Sequence, residues 1–240
     1  MSYQKDFFDL SYRYAQRVSD LAQISLADAL LNYTNLYLRF GLDRSFNPHH
    51  PVWISFVEGL PTEEDPVDYM FAFFLECDRR HPVVNNEPTF GCFSYAVWSE
   101  QRIRLHFNKG ATLENGPLSM SQMVDRLKEL TDLCEHVKNH VPDASMFLGG
   151  SWLYNIESYR RLFPPAFLAT EHPSYEDFQF LALWGQFLDR QGHVRPMMAQ
   201  AFFDKIEAAA CMDDLTHAFP YPVLRLDAPP EVFYRFYKSQ

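Results

Sequence analysis

Residues 102–165 constrain the fold more than any other stretch of this chain. A strand, a polar glycine-bearing loop, an amphipathic helix and a second strand follow one another there without interruption. The first strand reads Arg102, Ile103, Arg104, Leu105, His106, Phe107, Asn108, with apolar residues alternating against polar ones, the period of a half-buried strand. The second runs through Gly149, Gly150, Ser151 and Trp152. A strand that leads through Asn108, Lys109 and Gly110 to the amino end of a helix is one way of presenting free backbone N–H groups to an anion.

The helix between them is marked at both ends. Ser119 and Gln122 have the spacing of a capping box, and Leu118 and Met123 fall where a hydrophobic staple closes. Met123, Leu127, Leu130, Cys134, Val137 and Val141 form one apolar stripe, and Pro142 ends the helix. Asp125, Arg126, Lys128, Glu129 and Asp132 are expected on a solvated face.

Before this segment the pattern is helical. A helix is expected over residues 4–21, and a second starts at Ser25 and Asp28 and ends before Gly41. Residues 46–51 form a loop in which two prolines flank His49 and His50. A third helix opens at Asp65 and Pro66, with Val67, Met70, Phe71, Phe74 and Leu75 on its buried face. From Phe90 the period changes to two, which predicts antiparallel strands over 90–98 and 102–108. Ile103, Leu105 and Phe107 then face a core, while Arg102, Arg104, His106 and Asn108 make a face polar enough to line a cleft. Later elements are a strand over 146–154, a short helix over 156–163, and a long apolar strand or strand pair over 178–188 bent at Gly185. A helix over 197–211, a strand over 223–226 and an aromatic helix after Pro229 and Pro230 complete the chain. The order predicts an α+β fold in which a helical amino-terminal region, residues 1–82, packs on a mixed sheet formed by residues 83–240.

Composition narrows the function classes. With 240 residues and 47% hydrophobic content the chain can bury a sizeable core. Its net charge of −10 opposes nonspecific attraction to nucleic acid or an anionic membrane, so neither is expected as a partner. Cys77, Cys92, Cys134 and Cys211 are widely spaced and form no C-x-x-C motif, as expected of reduced, buried thiols in a cytoplasmic protein. No secretory signal or membrane-spanning run is visible. His136 and His140 lie four apart on one helical face, but H-E-x-x-H is absent and the pattern supplies no third ligand. A solvated helix end is the favoured reading of that pair, and no metal is expected.

Leu105 to Gly110, then Gly116, Pro117 and Leu118, a helix, Ser151 to Asn155, and Leu162, Phe163 and Pro164 resemble the acyltransferase-like domain of a bacterial family related to the GNAT acyltransferases. The resemblance covers about residues 90–188. It implies an acyl-CoA whose pyrophosphate rests on backbone amides at a helix start, and a sheet splayed so that the thioester reaches an amine. The family's Q/R-x-x-G-x-G/A loop is absent; the matching region has glycines only at 110 and 116. Asn108, Lys109, Gly110, Gly116 and Ser119 are the candidate cofactor-binding residues. Gly149, Gly150, Ser151, Trp152, Asn155 and Arg160 are the candidate substrate-binding residues. His106, Tyr154 and Glu157 are the candidate acid/base trio. Ser151 lacks a nucleophile elbow, since Leu153 stands where G-x-S-x-G requires glycine. Two readings follow: an acyl-CoA-dependent N-acyltransferase acting on a small molecule, or a noncatalytic binding or assembly protein that kept the fold and lost the phosphate loop. Homo-oligomer formation is open under both. Parallel strands paired without a gap near Asn108 and Gly149 would remove the first.

Overall fold

The apolar stripes and alternating runs of the sequence become twelve helices and six strands among the described residues, which in the computed structural model are 3–60, 64–80, 87–108, 116–189 and 191–238. In chain order they are α1 (Lys5–Ala22), α2 (Leu26–Tyr33), α3 (Leu36–Arg39), α4 (Pro51–Gly59), α5 (Pro66–Arg80), β1 (Thr89–Phe90), β2 (Phe93–Val97), β3 (Arg102–Phe107) and α6 (Met123–His140). There follow β4 (Met146–Ser151), α7 (Glu157–Arg160), α8 (Pro165–Leu168), β5 (His172–Ser174), α9 (Leu181–Trp184), α10 (Pro196–Ala208), α11 (Met212–Thr216), β6 (Val223–Ala228) and α12 (Pro230–Lys238). The fold is α+β. No helix among the described residues is long and apolar enough to cross a membrane.

The chain divides into two units, Met1–Val84 with Tyr175–Pro222, and Asn85–Ser174 with Val223–Gln240. This differs from a single cut after residue 82, because the later segment joins the amino-terminal helices. Pairing explains how the chain makes that excursion: Ser174 lies opposite Val223 in the β5–β6 ladder, so the segment departs from and returns to neighbouring positions.

The helical unit is built on α1, whose Phe7, Phe8, Leu10, Tyr14, Ala15 and Val18 are buried. Ser25 caps α2 as expected, accepting from the Asp28 N–H at 3.0 Å. The second helix is shorter than its pattern: it stops at Tyr33, and Thr34 closes the break by bonding back to the Leu30 carbonyl. Residues 178–188 form no strand. They coil into α9 and a 3-10 turn around the fully buried Trp184, whose Nε1–H donates to the Phe178 carbonyl at 2.6 Å. An apolar run of this length reads the same for a buried strand and a buried helical turn. Gln186 takes over the strand's pairing role, since its Oε1 accepts from the Tyr221 N–H at 2.9 Å and its Nε2 donates to the Tyr221 carbonyl at 3.2 Å.

In the second unit the six strands run in the order β1-β2-β3-β4-β6-β5, with β3 and β4 parallel and every other pair antiparallel. Ile103, Phe147, Leu130, Leu133, Val137 and Phe233 form its buried core with α6 and α12. The expected strand over 90–98 is broken at Gly91, whose φ of 57° turns β1 into β2. The capping box at Ser119 does not form: the Ser119 hydroxyl meets Ser121, and a 3-10 turn over Met120–Gln122 leads into α6 without a side-chain cap. The solvated face of α6 is also corrected. Arg126 is only 5% exposed and is ion-paired with Glu129, whose other oxygen accepts from the Cys92 N–H at 3.0 Å. A Cβ on Gly91 would stand 1.9 Å from that carboxylate, so glycine is required there twice over.

Tyr154, Tyr159 and Tyr237 are buried in this core, and burial lifts all three phenols above the ordinary value of 10.0. A pKa raised on folding contributes stability that is complete below the unfolded value and is lost as pH rises past it. We expect the unit to lose stability above about pH 10. In an absorbance titration these phenols should ionise only as circular dichroism reports unfolding. Ionisation of all 13 tyrosines near pH 10 with an unchanged fold would contradict this.

Candidate functional site

The parallel strands β3 and β4 pair over only part of their length. Arg102, Ile103 and Arg104 pair with Met146, Phe147 and Leu148, and the ladder ends there. Both strands run on: β3 stays paired to β2 as far as Phe107, and β4 pairs through Gly149, Gly150 and Ser151 with β6. No pairing between the two strands continues past Arg104 and Leu148, on the side of Asn108 and Gly149.

Two glycines of β4 follow the end of this pairing. A Cβ on Gly149 would stand 2.6 Å from the Tyr154 hydroxyl, and one on Gly150 would stand 2.8 Å from an Arg104 guanidinium nitrogen. The Gly-Gly pair is thus a tight packing contact on both faces of β4. Arg104 also reaches the Gly150 carbonyl at 3.5 Å and lies over the Trp98 ring at 4.7 Å. Its charge lowers the Tyr154 phenol in part, but burial outweighs it and keeps that phenol protonated.

The polar face of β2 and β3 carries a connected network. His106 Nδ1 lies 2.8 Å from Glu87 Oε2, the fully buried Ser94 hydroxyl donates to the same oxygen at 2.9 Å, and Asn108 Nδ2 donates to Ser94 Oγ at 3.1 Å. A carboxylate accepting from Nδ1 places that proton on Nδ1 and leaves Nε2 as the basic nitrogen. Ser94 and His106 face each other directly across the strands. Glu87 escaped the sequence reading because it stands alone in an irregular stretch, ahead of β1 and nineteen positions from His106.

The acid/base trio read from the sequence is not assembled. His106 engages Glu87, Tyr154 is buried against Tyr159, and Glu157 is exposed at the start of α7, with no hydrogen bond joining any two of the three among the described residues. Residues 152–160 are occupied with their own turn. Ser151 Oγ accepts from the Leu153 N–H at 3.2 Å, Asn155 Nδ2 donates to the Trp152 carbonyl at 2.8 Å, and Arg160 donates to the Tyr154 carbonyl at 2.9 Å while pairing with Glu171.

The α6 start lies beyond the loop that follows β3. Lys109 and Gly110 lie outside the described residues; Gly116 has φ 79° and accepts from the Ser119 N–H at 3.2 Å. Because no side chain caps the 3-10 turn, the N–H groups of Met120 and Ser121 donate to no described residue. Two arginines converge on the same turn. Arg126 donates to the Pro117 carbonyl at 3.4 Å, Arg161 donates to the Leu118 carbonyl at 2.8 Å, and the Nε of each is buried with no hydrogen-bond partner. Such orphaned cationic donors beside free amides suit an anion. No group of three or more metal-ligating side chains is assembled among the described residues.

Comparison with known proteins gives no significant match to a family model, a curated protein or a solved structure.

Proposed function

We propose that the chain is an acyl-CoA-dependent N-acyltransferase acting on a small-molecule amine, with the end of the β3–β4 pairing as its active site. The observation that carries this reading is the uncapped helix start at Met120 and Ser121 with Arg126 and Arg161 bonded to the turn before it, in a sheet whose parallel ladder ends early, at Arg104 and Leu148. The residues fit the ligand. The amides of Met120 and Ser121, with Arg161, hold the pyrophosphate, taking the place of the absent glycine loop; Lys109, read from the sequence as a further phosphate contact, lies outside the described residues. Bound acyl-CoA supplies the activated thioester.

The chain's own residues supply the proton transfer. His106 Nε2 takes a proton from the amine as its nitrogen bonds to the acyl carbon and the carbon–sulfur bond breaks, and Glu87 stabilises the imidazolium through Nδ1–H. The thiolate that leaves is protonated in turn, so the products are an amide and CoA thiol.

Thiol release from acetyl-CoA in the presence of small amines tests the reading. Release should saturate in both substrates. Binding of acetyl-CoA without release under any amine would favour the noncatalytic alternative.

A further inference from the structure

The sheet face that carries His106 is cationic, in a chain whose net charge is −10. Arg104 shares that face with His106, two positions away on β3, and Arg225 stands opposite Gly150 on one side and His172 on the other. A Cβ on Gly150 would meet an Arg104 guanidinium nitrogen at 2.8 Å, which puts Arg104 and Arg225 on the same face of β4. The described strands place one carboxylate on this face, the exposed Asp227 opposite Leu148. Glu87 is engaged by His106 and Ser94, and Glu100 by Arg102.

Arg104 reaches past its own partner. It pairs in register with Leu148, yet its guanidinium lies at Gly150, two positions further along β4. His106 is equally far past Arg104 on β3, so the guanidinium leans to the level of the imidazole. The Trp98 ring supports it at 4.7 Å and the Gly150 carbonyl accepts from it at 3.5 Å. Arg104, His106, Gly150 and Arg225 are each partly open to solvent.

Resting on the acyl-transfer reading, we infer that the amine substrate carries a carboxylate, as an amino acid does, and that Arg104 and Arg225 bind this carboxylate while His106 Nε2 receives the amine. A guanidinium offers paired N–H donors that match the two oxygens of a carboxylate. The same positive charges repel a polyamine, and they lower the pKa of a bound ammonium, which favours the neutral amine that attacks the thioester. The product is then an N-acyl amino acid beside CoA thiol.

Two measurements separate this inference from the reading it rests on. Shifts of the His106 ring signals in 1H–15N spectra report binding without CoA, and thiol release from acetyl-CoA reports transfer. The probes are the standard amino acids, their carboxamides and spermidine. At least one amino acid should shift the His106 signals and be acylated with a KM at least about tenfold below that of its carboxamide, with spermidine excluded. Arg104→Met and Arg225→Gln, on different strands, should each remove most of this preference, through KM more than kcat. Binding of an amino acid but not its carboxamide, without thiol release, would remove the acyltransferase reading and leave the carboxylate site standing. Carboxamides or spermidine used as well as amino acids, a preference unchanged in both variants, or no shift and no release with any amino acid would each overturn the inference.

Discussion

Glu129→Ala should lower the stability of the sheet-bearing unit by about 3–5 kcal/mol, far more than a glutamate on an expected solvated face would cost. The substitution removes the partner of the buried Arg126 guanidinium and the acceptor of the Cys92 N–H together. An unpaired buried charge and an orphaned backbone donor both raise the free energy of the folded state. Arg126→Met in the same chain should recover part of the loss, because the charge is then gone, and this non-additivity separates the ion pair from simple packing. Hydrogen exchange of β4 amides reads the global opening free energy. A loss below about 1 kcal/mol would mean that the pair is solvated after all.

His106→Ala should reduce kcat for acyl transfer by about 10²–10⁴-fold, the usual contribution of a positioned general base. Glu87→Gln should cost less, since an amide oxygen still accepts from Nδ1–H but no longer stabilises the imidazolium. Neither change should much affect acetyl-CoA affinity, because both residues lie on the polar face of the sheet and not at the α6 start. Steady-state kinetics beside an equilibrium titration distinguishes the two effects. Full turnover in His106→Ala would remove the dyad from the mechanism while leaving the binding site standing.

Elements with one clear period were legible in the sequence: the stripes of α1 and α6, the alternation of β3 and most of the α5 stripe matched the structure, whereas Leu75 of α5 and the Cys211 thiol, both read as buried, are exposed. Residues 178–188 were not, because an apolar run without polar punctuation does not state its period. Long-range pairings were hidden for a different reason. Nothing local to Arg126 and Glu129 announces that the β1–β2 turn will cover them, and Gly91 reads as a loop glycine until the Glu129 carboxylate is placed where its Cβ would be. Ser119 shows how a local signal is lost, since the turn from Gly116 spends its N–H and a 3-10 turn precedes the helix. The candidate site was half visible. His106 and Asn108 were found by alternation, whereas Glu87 and Arg126 emerged only when the chain brought them to the sheet face and the helix start.

Calorimetric titration with CoA and acetyl-CoA at low salt tests the central claim most directly. The account predicts saturable heat, a rise in melting temperature from binding to the folded state alone, and weakening by Arg161→Ala, by Lys109→Ala and by added salt, since a charge-assisted phosphate contact is screened by ions. No heat and no thermal shift at millimolar ligand would contradict it.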